Sequence, residues 1–233
     1  DPTVADDHFV QDVDVITEER RLNTDTDDVV RLRRLRKVYP SSTGPKVAVR
    51  GLSFGMPRGE CFGFLGINGA GKTSTLNMLT GAVLPSSGDA WLGGKHILTQ
   101  QKAVRRLIGY CPQHDALLDL LTVREHLMLF GRLKGVSSAR LPQMVKQLME
   151  MLQLSAHEHK ISSTLSGGNK RKLSVGIALI GSPPLIFLDE PSTGVDPAAR
   201  RFMWSVISNL STMSKSCSVV LTTHVMEEAE ALC

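Results

Sequence analysis

Residues 66–73 have the sequence Gly-Ile-Asn-Gly-Ala-Gly-Lys-Thr, which fits the phosphate-loop pattern G-x-x-x-x-G-K-[ST]. An apolar run of strand length, residues 60–66, precedes the loop, and residues 72–81 have the pattern of a helix that ends at a glycine. We expect the loop glycines, Gly66, Gly69 and Gly71, to take the positive φ that turns successive N–H groups inward as an anion site. The stretch predicts a strand, a phosphate-binding loop and a helix.

The start of that helix supplies two polar side chains with different expected roles. Lys72 should reach the β- and γ-phosphates of a nucleotide, and the Thr73 hydroxyl should ligate Mg²⁺, because a triphosphate is bound as its magnesium complex. The helix N-terminus adds the positive end of its dipole. The loop therefore predicts a site for Mg²⁺ and a nucleoside triphosphate.

A second apolar run, Leu-Ile-Phe-Leu at residues 185–188, is followed by two carboxylates. Asp189 is placed to hold Mg²⁺, and Glu190 to orient or deprotonate the attacking water. A third run, residues 218–223, ends at His224, which should lie at the same sheet edge and act on the γ-phosphate. The remaining candidate histidines, His114, His126, His157 and His159, have the simpler interpretation of structural side chains.

The order of these patterns predicts the α/β class, with a mostly parallel sheet and an inserted helical section. Residues 122–135 and 141–154 repeat apolar residues at intervals of three and four, which is typical of helices, and we place the helical subdomain at about residues 114–180. Residues 29–39 alternate apolar and basic side chains and predict an edge strand of an antiparallel region near the N-terminus. We expect residues 29–233 to form one domain and the acidic residues 1–28 to be a linker.

Composition narrows the possible ligands of this 233-residue chain. Its formal charge is +4, yet residues 1–28 hold ten acidic side chains against two arginines, so the rest of the chain is strongly basic. A basic domain favours an anionic ligand. Nucleic acid is disfavoured, because only 5% of residues are aromatic and no zinc-finger spacing occurs. The four cysteines are far apart without a C-x-x-C pair, which indicates neither a disulfide framework nor a zinc site.

Residues 165–168, Leu-Ser-Gly-Gly, precede a further helical pattern and predict a second anion-binding helix start. One nucleotide does not usually need two such sites from one subunit. Together, residues 66–74, 165–169, 185–191, 192–196 and 222–224 resemble, in this order, the motifs of the nucleotide-binding domain of an ABC transporter. The resemblance covers nearly all of residues 30–233, and it implies the ABC ATPase fold with ATP and Mg²⁺ as cofactors.

The resemblance also implies roles for individual residues. Tyr39 corresponds to the aromatic side chain that stacks on adenine, Gln113 to the glutamine that contacts Mg²⁺ and water, and Asp196 to the aspartate of a loop at the dimer seam. The catalytic set is Glu190, His224, Gln113 and Lys72, and the metal ligands are Thr73, Gln113 and Asp189. The nucleotide-binding set is Tyr39, Gly66, Asn68, Gly69, Ala70, Gly71, Lys72, Thr73 and Ser74. The signature that closes on the ATP of an opposing domain is Leu165, Ser166, Gly167, Gly168 and Asn169.

Asn169, which stands where most family members carry Gln, and the basic run that follows it resemble the A-subfamily, in particular its second, C-terminal nucleotide-binding domain. This subfamily mostly moves lipids, so the resemblance implies partner transmembrane domains, a second nucleotide-binding domain and a place on the cytosolic face of a membrane. The transported lipid would not bind here. Residues 1–28 would connect to the last transmembrane helix, and we expect the domain to continue with further strands beyond Cys233.

Alternatives to a motor domain remain possible at this point. The chain is either an ATP-hydrolysing motor domain or a regulatory half that binds ATP with little turnover; loss of Glu190 or His224 would favour the second, and both are present. A small-molecule kinase or GTPase would share the phosphate loop but not Leu-Ser-Gly-Gly. The guanine-reading pattern N-K-x-D is also absent from the sequence, since its only Asn-Lys pair runs into Arg171 and Lys172.

Overall fold

The computed structural model describes residues 12–23, 27–42, 44–212 and 217–233. Two short 3₁₀ turns, Ser155–His157 and Ser162–Thr164, join the regular elements. In chain order those elements are α1 (Val13–Leu22), β1 (Val30–Tyr39), β2 (Lys46–Met56), β3 (Cys61–Leu65), α2 (Lys72–Leu79), β4 (Ser87–Leu92), β5 (Lys95–His96), α3 (Gln101–Leu107), β6 (Ile108–Cys111), α4 (Val123–Leu133), α5 (Leu141–Met151), α6 (Gly167–Leu179), β7 (Leu185–Asp189), α7 (Pro197–Thr212), β8 (Ser218–Thr223) and α8 (Met226–Leu232).

A parallel sheet forms the centre of the molecule, with the strand order β3-β8-β7-β6. Every residue of β7 and of β8 is buried. Strands covered on both faces need apolar side chains on both, which explains why these two runs are nearly continuous in hydrophobicity. The predicted α/β class with a parallel core is confirmed.

The antiparallel region is a separate sheet with the order β2-β1-β4-β5. Strand β1 pairs with β2 on one side and with β4 on the other, so the prediction that it is an edge strand is wrong. The arginines of β1 suggest a solvated edge, but Arg31 and Arg33 lie over the Trp91 ring instead. Their guanidinium carbons are 4.6 and 5.6 Å from the centroid of that ring. Stacking on an indole lets an inner strand carry cations.

Helix α1 lies against β2 of the antiparallel sheet. Leu22 is 1% exposed, and the Glu18 carboxylate accepts a 2.7 Å hydrogen bond from the Gly55 N–H. The segment that the sequence predicts to be a linker therefore contains a packed helix, because one buried leucine and a charged contact hold α1 against β2. Residues 1–11 and 24–26 of the expected linker lie outside the described residues.

Helices α4, α5 and α6 form the helical section that the apolar spacing predicts. The Thr122 hydroxyl accepts a hydrogen bond from the Glu125 N–H, while the Glu125 carboxylate accepts from the Thr122 N–H, which makes a capping box at the start of α4. His126 is 0% exposed, and its ring contacts the Leu118 N–H and the Thr122 carbonyl. Its structural interpretation is confirmed.

Candidate nucleotide site at the carboxyl edge of the parallel sheet

The phosphate loop connects the end of β3 to the first residue of α2, Lys72. Gly69 and Gly71 have φ values of +85° and +91°, as predicted, but Gly66 is not in the positive-φ region, so that part of the prediction is wrong. A Cβ at Gly71 would also collide with the Ala48 carbonyl of β2. Both the backbone conformation and the available space therefore require glycine at position 71. Loop residues 67–70 are exposed to solvent.

Lys72 folds back over the loop, where its Nζ donates to the carbonyl of Gly66 and, at 3.1 Å, to that of Ile67. The ammonium group is therefore held above the exposed loop. Tyr39 lies beside α2, where its hydroxyl donates to the Ser74 hydroxyl over 3.5 Å. The structure thus places the predicted adenine-stacking ring beside the helix that follows the phosphate loop.

Asp189 is 0% exposed at the end of β7. Its Oδ1 accepts hydrogen bonds from the Thr222 hydroxyl at 2.5 Å and from the Thr73 hydroxyl at 3.3 Å. Its Oδ2 is buried and has no hydrogen-bond partner. An orphaned carboxylate oxygen beside a hydroxyl is a donor set that suits Mg²⁺, which takes oxygen ligands and keeps several of its waters. Among the described residues, no group of three or more His, Cys, Asp or Glu side chains is arranged to hold a metal ion.

Glu190 is surrounded by three polar side chains. Its Oε2 accepts hydrogen bonds of 3.1 Å from the Gln113 amide and from the Thr193 hydroxyl. Its Oε1 lies 3.4 Å from Nδ1 of His224, which is 42% exposed while the Glu190 side chain is 7% exposed. Three residues that the sequence named for catalysis, Glu190, Gln113 and His224, are thus brought together at the solvent boundary, next to Asp189 and Thr73.

Strand order explains this assembly. The loop follows β3, His224 follows β8, Asp189 ends β7 with Glu190 next to it, and Gln113 comes shortly after β6. Because the carboxyl ends of parallel strands meet at one edge, each strand of this sheet delivers part of one site.

Arg171 is a contributor that sequence reasoning missed. It lies on α6, is 3% exposed, and its guanidinium donates to six oxygens at 2.6–3.3 Å, namely the backbone carbonyls of Pro112, Gln113, Asp189, Glu190 and Pro191 and the Asp115 carboxylate. It therefore joins the segments that carry Gln113, Asp189 and Glu190. Helical spacing was the available signal, since Arg171 lies one turn before buried Val175 on the same face.

The signature residues lie at the start of α6. The Ser166 hydroxyl accepts a hydrogen bond from the Asn169 N–H at 3.4 Å, and Ser166 and Gly167 are exposed. Leu165, by contrast, is buried in the core. The exposed Asp196 accepts hydrogen bonds of 3.0 Å from the N–H groups of Ala198 and Ala199, which lowers the pKa of its carboxyl group below the usual value. Asp196 therefore caps the start of α7. Its carboxylate also lies close to Gly168.

One parallel strand is followed by a phosphate loop, and the other three are followed by acidic, amide and imidazole side chains. This arrangement defines a P-loop nucleoside-triphosphatase domain. Residues 49–193 match the ABC transporter domain family. A dimeric ATP-binding cassette in a post-hydrolysis state bound to ADP and Pi has a TM-score of 0.80 with this chain at 23% identity, covering 87% of this chain and 91% of the other. An ATP-binding subunit of an ABC transporter has a TM-score of 0.78 at 26% identity, covering 88% and 83%.

Curated relatives are more similar to this chain in sequence than these solved structures are. ATP-binding cassette sub-family A member 7 of Mus musculus is 51% identical over 225 residues, and the retinal-specific phospholipid-transporting ATPase of Homo sapiens is 50% identical over 225 residues. Each match covers 96% of this chain but only 10% of the relative. The chain therefore belongs to the ABC transporter family, as an ATPase domain of the A-subfamily type, and it spans about a tenth of the length of these relatives. No helix among the described residues is long and apolar enough to cross a bilayer.

Proposed function

We propose that this chain binds and hydrolyses ATP as a motor domain of an A-subfamily transporter, and that it works by closing on a second nucleotide-binding domain. The observation that carries the proposal is the environment of Glu190. Its carboxylate contacts Gln113 and His224 at a solvent-accessible edge, and the neighbouring Asp189 has a free buried oxygen beside Thr73.

The residues divide the chemistry among them. Glu190 accepts a proton from water or orients it toward the γ-phosphate, and His224 and Gln113 hold that water in place. Lys72 and the loop N–H groups stabilise the charge on the transferred phosphoryl group. Thr73, Asp189 and Gln113 would hold Mg²⁺, which supplies further charge neutralisation when bound.

A second domain is proposed because the described part of this chain gives no packing or conformational reason for glycine at position 167. A Cβ added at Gly167 meets nothing within 4 Å, and its φ is not positive, so neither space nor conformation inside the described chain requires glycine there. Backbone that must approach a phosphate from another subunit does require it. The exposed Ser166 and Gly167 would then contact the ATP held by the opposing domain.

The transported substrate is proposed to be a lipid, handled by membrane domains and not by this domain. The support is one human relative, a retinal-specific phospholipid-transporting ATPase, which is 50% identical to the chain over 225 residues. The sequence at residues 167–174 favours the second nucleotide-binding domain, and residues 1–28 its connection to the transmembrane region. Such a domain lies at the cytosolic face.

The proposal is tested by measuring the steady-state ATPase rate at a series of protein concentrations. We expect the rate to rise faster than linearly, because two chains must meet around ATP. Glu190→Gln should keep ATP affinity within about threefold and reduce turnover by about a hundredfold or more, the usual range for removing a general base. Lys72→Ala should weaken ATP binding at least tenfold, measured with a fluorescent ATP analogue.

Glu230→Gln is the matched control, since Glu230 is exposed on α8 away from the site, and it should behave as wild type. Turnover by Glu190→Gln at the wild-type rate would refute the catalytic assignment. If ATP binds but wild type shows no turnover at any concentration, the regulatory alternative is supported instead.

A further inference from the structure

Thr222 places a hydroxyl group inside the core. It is 0% exposed, and its strand, β8, is an inner strand that pairs with β3 on one side and with β7 on the other. The three residues before it, 219–221, are apolar. A buried hydroxyl is unfavourable unless it forms hydrogen bonds, and valine has nearly the same shape without that cost. Packing alone therefore does not explain threonine at position 222.

The hydrogen bonds of this hydroxyl run to both acidic residues of the site. Asp189 and Thr222 are partners in the parallel pairing of β7 with β8, so their side chains lie on the same face of the sheet. The Thr222 hydroxyl donates to Asp189 Oδ1 at 2.5 Å, and its oxygen accepts from the Glu190 N–H at 3.1 Å. Because a backbone N–H can only donate, the single hydroxyl proton is left for the carboxylate. The direction of both bonds is therefore fixed.

These bonds give the two oxygens of Asp189 different surroundings. Oδ1 accepts from Thr222 and, at 3.3 Å, from Thr73, whereas the buried Oδ2 has no hydrogen-bond partner. A carboxylate that is held at one oxygen keeps one orientation. Hydrogen bonds to a metal-binding carboxylate orient it and tune its affinity for the metal. Oδ2 is thus the oxygen left for Mg²⁺.

We propose that Thr222 is a positioning residue of the nucleotide site, whose hydroxyl orients Asp189 toward Mg²⁺ and at the same time anchors the backbone of Glu190. The Glu190 N–H also donates to the Thr222 carbonyl at 3.1 Å, so both polar groups of one residue hold a backbone whose φ is +47°. Thr222 acts through these two neighbours and does not itself contact the nucleotide. The proposal rests on the proposed function, because it assumes that Mg²⁺ and ATP bind at this site.

The test compares Thr222→Val, which removes the hydroxyl, with Thr222→Ser, which keeps it. Binding of a fluorescent ATP analogue is titrated with Mg²⁺ and repeated in EDTA, which separates the metal from the phosphate loop. In Thr222→Val the Mg²⁺ concentration at half-maximal binding should rise about tenfold or more, the usual effect of losing a partner of a metal ligand, while affinity in EDTA stays within about twofold. Thr222→Ser should restore the Mg²⁺ requirement to within about threefold of wild type.

Ser218→Ala is the matched control. Ser218 is 0% exposed at the opposite end of β8, and its hydroxyl accepts a 2.8 Å hydrogen bond from the Gly59 N–H. The control should lower the free energy of unfolding, measured in urea, without changing the Mg²⁺ requirement. Steady-state kinetics give a second readout, in which turnover by Thr222→Val should fall about tenfold or more while the KM for ATP at saturating Mg²⁺ changes less than about threefold.

An unchanged Mg²⁺ requirement in Thr222→Val would overturn the proposal. An equal rise in Thr222→Ser or in Ser218→Ala would do the same, because the hydroxyl at position 222 would then not be the cause, and so would wild-type binding that does not depend on Mg²⁺. If Thr222→Val does not fold, Thr222→Ala is a second variant without the hydroxyl and is judged by the same results. A wild type without turnover would contradict the proposed function alone, since the Mg²⁺ titration of binding needs no hydrolysis.

Discussion

Glu190 is held in an unusual backbone conformation. Its φ is +47°, a region that non-glycine residues adopt at a cost of about 1–3 kcal/mol. Its N–H donates to the carbonyl and hydroxyl of Thr222, both at 3.1 Å, and its carbonyl accepts from Arg171 at 2.9 Å. These contacts on both sides of the residue offset the strain. The carboxylate can therefore point toward Gln113 and His224 and away from the core.

Replacing Arg171 tests whether it positions this backbone. Arg171→Lys keeps the charge but loses the planar fork, so several buried carbonyls lose their donor, and we expect a stability loss of about 1–3 kcal/mol. Turnover should fall at least tenfold while the KM for ATP changes less than threefold, because the phosphate loop is untouched. Urea denaturation and ATPase kinetics measure the two effects separately.

Arg124→Lys is the matched control, since Arg124 forms a partly exposed ion pair with Glu158 at 2.6 Å. Its turnover should stay near wild type. Equal losses of turnover in the two variants would argue against a positioning role for Arg171.

At the scale of elements, α6 joins an exposed surface to the buried site. Its cap residue Ser166 is exposed, and Arg171, five residues later and about 7 Å along the axis, holds the backbone of Glu190. A rigid helix transmits displacement of one end to the other. A domain that docks on Ser166, as proposed above, would therefore act on the element that positions the proposed catalytic carboxylate.

Helix α4 packs against α6, and its capping box gives a pH-dependent test of the helical section. Hydrogen bonds from the Thr122 N–H and hydroxyl lower the pKa of Glu125 from its usual 4.5. A lowered pKa in the folded state means that this stabilisation is present above about pH 4.5 and is lost as the pH falls through the lowered value.

Thr122→Ala should cost about 1 kcal/mol at pH 7, the usual value of an N-cap. The difference from wild type should shrink at acidic pH, where Glu125 is protonated in both chains. Urea denaturation at neutral and acidic pH measures it, and a difference that is independent of pH would count against the capping box.

On the scale of the whole molecule, three phenylalanines join the two sheets. Phe54 of β2 stacks on Phe62 of β3 at 4.8 Å between centroids and meets Phe64 edge-on at 5.1 Å. All three rings belong to one of the two apolar clusters of the core, which holds side chains from both sheets, such as Leu32 and Phe187; the other cluster surrounds the helical section. This aromatic contact fixes β2 beside the phosphate loop, where the Ala48 carbonyl limits position 71.

Phe54→Ala should lower the free energy of unfolding by about 3–5 kcal/mol, the usual cost of removing a buried phenylalanine. The chain has two tryptophans, Trp91 on β4 and Trp204 on α7, so single Trp→Phe variants report on each region separately. In urea, we expect the two single-tryptophan chains to unfold at the same midpoint. Adding Phe54→Ala should shift both midpoints. A shift confined to Trp91 would mean that the sheets unfold independently.

The role of Gln113 was predicted only from the resemblance to ABC transporter domains. The residues alone predicted the phosphate loop, the parallel core and the sheet edge at which Asp189, Glu190 and His224 meet. These follow from local patterns: glycines that permit a positive φ, continuous apolar runs that must be buried on both faces, and strand ends that share one edge.

Three features became apparent only in the folded chain: the inner position of β1, the packing of α1 against β2, and the ring of carbonyls around Arg171. Each of these depends on groups far apart in the chain that packing brings together. A cation stacked on an indole has the same local sequence pattern as a solvated one, so no periodicity could distinguish the two. Helical spacing places Arg171 on a buried face, but it does not show which groups enclose the guanidinium.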